Sequence, residues 1–222
     1  MNILIVSPHQ DDDILGVGAT IATKVEEGHK MYSLVVTRPS KNRYSEQYMH
    51  EGREQYKAAI SVLGCTPIFA DLCESPETDR CNIADINGCI ERTVREINPE
   101  CVYIPHWGDM HFEHRIVSEA ALTAARAFKT SVKMVFAYET LSETGVGAPT
   151  GHNFFVPNAY EVSSEHYIDL KCEAMIMFRQ QINDDYASPR SVYAARALAK
   201  YRGSSIGRRY AEAFQVVREI EE

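Results

Sequence analysis

Two short segments concentrate the residues that can hold a cation or move a proton. The first is His9-Gln10-Asp11-Asp12-Asp13, and the second is His106-Trp107-Gly108-Asp109-Met110-His111-Phe112-Glu113-His114. Three adjacent carboxylates repel one another, and crowding them costs free energy unless a cation is close. Capping a helix uses one aspartate; three with a histidine exceed that need. Carboxylates alone suit Mg²⁺, whereas the His9 imidazole shifts the choice towards Zn²⁺ or another divalent transition metal. A catalytic zinc takes about three protein ligands. His9 and one aspartate supply two, so the third must come from elsewhere. His111 and His114, three apart, share one face of a helical turn and are natural donors for it. Trp107, the only tryptophan, suits either stacking on a sugar ring or filling the core.

The elements that must position these residues follow from periodicity. Ile3 to Val6 is a short continuous apolar run, the pattern of a strand buried on both faces of a parallel sheet. Helical spacing follows over Ile14 to Glu27 and Glu46 to Leu63, ended by Gly28 and Gly64. Asn82 caps a further helix to Ile97, where Asn98-Pro99 stops it. His111 to Phe128, Tyr167 to Gln181 and Ser191 to Tyr201 also read as helices. Met31 to Thr37, a strand starting over Pro67 to Ala70, Cys101 to Ile104, Met134 to Ala137 and Phe214 to Ile220 read as strands. The alternation predicts an α/β fold, a mostly parallel sheet with helices on both faces. Both clusters follow strands, and ligands of open α/β sheets bind beyond the carboxyl ends of strands. Thr140 to Pro157 reads as a long loop, a common form of lid. With the Arg38 to Tyr44 loop it is expected to set substrate choice.

Composition excludes several classes. The 222 residues are 45% hydrophobic and 24% charged, ordinary for one globular domain, and the net charge of −8 argues against a nucleic-acid footprint. No apolar run approaches the ~20 residues of a membrane span. Met1 to Val6 lacks a basic flank and a cleavage site, which favours a cytoplasmic protein. The six cysteines form no CxxC pair. They read as reduced and mostly buried, with pairing of Cys73 and Cys81 across a loop as the alternative.

The first cluster, continued by Ile14-Leu15-Gly16, resembles the HPDDE-x-x-G motif of the LmbE-like, or PIG-L, de-N-acetylases. His111-Phe112-Glu113-His114-Arg115 resembles that family's HPDHR motif. Glu51-Gly52-Arg53-Glu54, Phe155-Val156-Pro157-Asn158, Lys171, Phe178-Arg179-Gln180-Gln181 and Ala211-Glu212-Ala213-Phe214 resemble further family segments in order. The resemblance implies a single Rossmann-like domain over residues 1–222. Its core covers about 1–138, and 139–222 completes the substrate site. It also implies one Zn²⁺ on His9, Asp12 and His114, with Asp11 as general base. A protonated His111 would assist at the oxyanion or the leaving amine, and Arg53 would help hold the sugar. Asp13, Asp109 and Glu113 would stand behind the ligands as orienting carboxylates. Gln10 and Asp13 replace the family's Pro and Glu, and Phe112-Glu113 replaces Pro-Asp; no proposed ligand is lost.

The implied reaction is hydrolysis of the acetamide of an N-acetylglucosamine-type conjugate, giving acetate and an amino sugar. The implied partner is that small molecule, and a homo-oligomer is compatible with the chain. One rival is a Mg²⁺-dependent phosphoryl or glycosyl transferase built on Asp11–Asp13. Another is a metal-containing sugar-binding module without catalysis. A dinucleotide site at Gly16-Val17-Gly18 is disfavoured, because the aspartates lie where a pyrophosphate would. The basic stretch Arg190, Arg196, Lys200, Arg202, Arg208 and Arg209 reads as a solvated helix face or as a partner for a phosphate on the substrate.

Overall fold

The computed structural model describes residues 1–147, 151–183 and 185–221. In chain order the elements are β1 (Asn2–Ser7), α1 (Asp12–Glu26), β2 (Lys30–Pro39), α2 (Glu46–Val62), β3 (Thr66–Ser75), α3 (Ile83–Ile97), β4 (Cys101–Pro105) and α4 (Phe112–Ala124). They continue with β5 (Met134–Tyr138), α5 (Leu141–Thr144), β6 (Ala159–Ser163), α6 (Glu165–Met177), α7 (Val192–Ser205) and β7 (Tyr210–Arg218). The strands form one sheet in the order β3-β2-β1-β4-β5-β7-β6. β1 to β5 are parallel, and β7 pairs antiparallel with both β5 and β6.

The apolar run in β1 serves two cores. Side chains alternate across a strand, so Ile3 and Ile5 enter one core while Leu4 and Val6 enter the other. On the first face Ile14, Tyr56, Ile60 and Met175 bring in α1, α2 and α6. On the second, Ile86, Ile90, Val117 and Ala121 bring in α3 and α4. The mostly parallel sheet covered on both faces agrees with the expectation from sequence. Caps match as well: Asn82 accepts the Ala84 N–H at the start of α3, and Asn98 ends that helix with φ 50°. No helix among the described residues is long and apolar enough to cross a membrane.

Four features differ from the sequence expectation. β6 is a five-residue edge strand that, among the described residues, pairs only with the distant β7, so no local pattern announces it. α4 ends at Ala124 rather than Phe128, because the chain must turn back within a few residues to enter β5 at Met134. Thr140 to Pro157 is not a plain loop: it carries α5 and a 3-10 turn over Gly151–Asn153, and residues 148–150 lie outside the described residues. Cys73 and Cys81 form a disulfide, with Cα atoms 6.2 Å apart, while Cys65, Cys89, Cys101 and Cys172 are free and buried. The bridge closes the loop leaving β3, whose Cα separation suits a disulfide without backbone movement.

α1 carries two of the clustered aspartates and is almost wholly buried, so its placement sets theirs. A Cβ on Gly16 would lie 2.4 Å from the Tyr138 ring, so only glycine lets α1 approach β5 this closely. A buried ion pair then grips the helix backbone. Glu212 on β7 accepts the N–H groups of Ala19 and Thr20 at 3.1 and 2.7 Å. Lys171 on α6 donates to the Leu15 carbonyl and to Glu212, both at 2.6 Å. Removing one partner leaves a buried uncompensated charge. Lys171→Met is therefore expected to cost about 3–5 kcal/mol in denaturant unfolding. Arg209→Met breaks the exposed Arg209–Glu165 pair and is expected to cost at most about 1 kcal/mol.

Candidate metal centre

β1 and β4 are adjacent and parallel, and from them the sheet order runs outward in opposite directions. This is the topological switch point, where a crevice opens beyond the strand ends. The segment after β1 brings His9 to Asp13 there. The segment after β4 brings His106 to His114. His111 caps α4, its Nδ1 accepting the Glu113 N–H at 3.3 Å. That fixes His114 on the buried first turn of α4.

His9 Nδ1 lies 3.0 Å from Asp12 Oδ2, and His114 Nε2 lies 3.2 Å from the same oxygen. The three ligand atoms fall within 4.8 Å of one another. Ligands about 2.0–2.2 Å from a tetrahedral ion sit roughly 3.3 Å apart, and the two contacts to Asp12 Oδ2 match that separation. Two buried atoms strengthen the fit: among the described residues Asp12 Oδ1 has no hydrogen-bond partner, and His114 Nε2 has no hydrogen bond, only its ion-pair contact with Asp12 Oδ2. The Asp12 carboxylate is held further by the His9 N–H at 2.9 Å.

The three consecutive aspartates point apart, as successive positions entering a helix must, at about 100° per residue. Asp12 faces the histidines. Asp11 faces the cavity and the Arg190 guanidinium, 2.9 Å away. Asp13 turns into the core, accepting the Ile14 N–H and the hydroxyls of Ser33 and Tyr56 at 2.8, 2.5 and 2.6 Å. Asp13 therefore does not stand behind a metal ligand, contrary to the expectation from sequence; it ties α1 to β2 and α2.

Asp109 and Glu113 do stand behind the histidines. Asp109 Oδ2 is 2.8 Å from His114 Nδ1, and its Oδ1 accepts the Thr144 hydroxyl at 2.6 Å. His9 Nε2 donates to Glu113 Oε2 at 2.7 Å. Glu113 also accepts the Ser75 hydroxyl at 2.6 Å and the Thr78 hydroxyl and N–H. Ser75 and Thr78 belong to the segment closed by the Cys73–Cys81 bridge. Each histidine thus has one ring nitrogen held by a carboxylate and the other presented to the centre.

The charges of this cluster are strongly interdependent. Burial alone would push the Asp12 carboxyl up, but the His114 and His9 rings hold it well below the usual carboxylate range. Burial would lower both rings; the carboxylates outweigh it and raise His9 to about 10 and His114 to about 9. Glu113 falls to about 2, as the His9, Ser75 and Thr78 bonds overcome its burial. His111 goes the other way: burial, then the like charges of His9 and His114, push it down to about 4. These effects favour a neutral His111 ring over the protonated one expected from sequence. With Nδ1 accepting from Glu113 N–H, its proton sits on Nε2.

A cavity of about 240 Å³ opens over this cluster, lined among others by His9, Asp11, Tyr44, His111 and Arg190. Trp107 is not in its lining; it packs beside the second core and against the His106 ring. Arg53 is not brought to it either. It pairs with Asp71 and lies 4.3 Å from the Phe69 ring centroid, lining a neighbouring cavity with Gln10 and Pro39. Within the basic stretch, Arg190 alone lines the cavity over His9 and Asp11 among the described residues. Arg196, Arg202 and Arg209 pair with Asp169, Glu139 and Glu165.

Sequence reasoning does not find Arg190 as the partner of Asp11, nor Thr144, Ser75 and Thr78. Hydroxyl side chains in loops carry no distinguishing pattern, and Arg190 stands in the sequence only as one member of a charge run.

Residues 4–125, more than half of the chain, match the sequence family described as PIG-L, GlcNAc-PI de-N-acetylase. The chain belongs to the PIG-L family. As a member it is an amidohydrolase acting on a non-peptide C–N bond. It is 25% identical over 179 residues to the uncharacterized deacetylase YaiS of Escherichia coli K12, covering 78% of this chain and 88% of that one. Its fold matches the conserved protein TT1542 of Thermus thermophilus, with TM-score 0.78, 23% identity and coverage of 99% and 96%. It also matches the N,N'-diacetylchitobiose deacetylase of Pyrococcus horikoshii, with TM-score 0.76, 18% identity and coverage of 98% and 84%. GalB of Pseudomonas putida KT2440, a 4-carboxy-2-hydroxymuconate hydratase, shares the fold too, with TM-score 0.72, 21% identity and coverage of 100% and 98%. Family membership therefore rests on the sequence match, since a fold alone does not set a reaction.

The site makes two removals informative. His114→Ala should abolish tight metal binding by elemental analysis. Asp109→Asn keeps the ligands but loses the carboxylate charge behind His114, so metal affinity should fall roughly 10–100-fold. A second measurement tests the loop: thiol labelling of the denatured chain should count four cysteines without reductant and six with it.

Proposed function

We propose that this PIG-L family member hydrolyses the acetamide of an N-acetylglucosamine-type sugar conjugate, using one Zn²⁺ held by His9, Asp12 and His114. The observation that carries the reading is the convergence of two imidazole nitrogens and one carboxylate oxygen under a cavity walled by Asp11 and His111. Bound there, the ion supplies Lewis acidity towards an amide carbonyl and towards water.

The chain's own residues supply the proton chemistry. Asp11 is the general base: its buried carboxylate takes a proton from the water that attacks the acetyl carbon. His111, neutral with its proton on Nε2, donates a hydrogen bond to the oxygen that gains charge. The C–N bond breaks as Asp11 returns its proton to the departing nitrogen. Acetate and the free amino sugar leave. The cavity suits one ring with its acetamido group, with Tyr44 and the polar ends of Gln10, Thr37 and Gln181 at its wall.

The test is acetate release from a panel of N-acetylglucosaminides by the zinc-loaded chain. At least one conjugate is expected to be turned over. Asp11→Asn should keep full metal content and lose ~100-fold or more in turnover. Undiminished turnover in that variant would remove Asp11 as the base. A fully loaded wild-type chain that releases no acetate from any conjugate would contradict the substrate class.

A further inference from the structure

The segment between α6 and α7 brings Gln181 and Arg190 to the cavity wall, and Arg190 reaches Asp11. Arg190 Nη1 lies 2.9 Å from Asp11 Oδ2 and donates to Gln181 Oε1 at 2.9 Å, and its Nη2 lies 3.5 Å from Glu143. Its backbone is pinned where the chain enters α7. The Arg190 N–H donates to the Ser188 hydroxyl, and its carbonyl accepts the Asn183 N–H. The next residue, Ser191, caps α7. Asp11 is only 2% exposed, and Arg190 is the only Arg or Lys within ion-pair distance of it among the described residues.

This arrangement bears on a problem that the sequence itself creates. Asp11 and Asp12 are adjacent carboxylates at one cation site. A carboxylate buried beside a divalent ion is drawn into its coordination unless another cation holds it. A carboxylate that ligates shares its charge with the metal, which lowers its basicity.

We propose that Arg190 is a positioning residue that keeps the Asp11 carboxylate off the metal, so that Asp12 remains the only carboxylate ligand and Asp11 remains free to accept a proton. The proposal rests on the metal-centre reading above. It separates the roles of two chemically identical neighbours by the partner each one faces: two imidazoles for Asp12, a guanidinium for Asp11. Gln181 accepts from the same Nη1 that faces Asp11, and Glu143 lies near Nη2, so both ends of the guanidinium have partners besides Asp11.

The test uses the Co²⁺-loaded chain, because the visible absorption of Co²⁺ weakens and shifts when it gains a ligand. Arg190→Met is expected to keep one cobalt per chain and to show the weaker spectrum of higher coordination. Its turnover should drop by about 10-fold or more while KM moves by less than about twofold. Arg190→Lys, which keeps a cation at the position, should restore most of the wild-type spectrum. Arg190→Gln serves as a milder neutral variant should the methionine chain fail to fold. In an Asp11→Ala background the same change at Arg190 should leave the spectrum unaltered. The proposal is overturned if the neutral variants keep the wild-type spectrum, or if the spectral change persists without Asp11. A wild-type chain that takes up no cobalt would overturn the metal-centre reading itself, and this proposal with it.

Discussion

A carboxylate taken fully out of water between two imidazoles is the interaction on which the rest of this molecule turns. Asp12 is buried, its Oδ2 close to His9 and His114, its Oδ1 without a partner among the described residues. Such a group is costly to bury unless positive charge meets it. Everything nearby is arranged to hold that charge in place: Glu113 behind His9, Asp109 behind His114, and hydroxyls from two separate segments behind those carboxylates.

The fold supplies the rigidity this requires. Asp12 sits on the first turn of α1, and that helix is clamped along its length. Gly16 lets it approach Tyr138, while Lys171 and Glu212 reach its backbone from α6 and β7. The C-terminal part of the chain is therefore structural support for a site whose proposed ligands all come from the first 114 residues. It also contributes to the site's wall, through Gln181 and Arg190.

Much of this is legible in the sequence, for physical reasons that differ from residue to residue. The run Ile3 to Val6 announces a strand buried on both faces, because alternation fails only when both faces are apolar. The two clusters are legible because dense histidine and carboxylate segments are scarce and both follow strands, and the choice of His9, Asp12 and His114 within them comes from the family resemblance. The opposite directions of Asp11, Asp12 and Asp13 are not, since three identical side chains differ only in what the folded chain brings opposite them. For the same reason sequence alone assigns Asp13 as an orienting carboxylate, when Ser33 and Tyr56 claim it. Arg53 and Trp107 suit a sugar by residue type; Asp71 and the second core hold them instead. The edge strand β6 and the Cys73–Cys81 bridge depend on long-range pairing and loop closure, which leave little local trace.

The most direct measurement is where a metal binds. Anomalous diffraction at the zinc edge, from crystals of the chain purified with one equivalent of Zn²⁺, would locate the ion. The expected result is a single ion bonded to His9, Asp12 and His114, with Asp11 outside bonding distance and facing Arg190. An ion held elsewhere, or one that leaves His114 unbonded, would contradict the proposed centre.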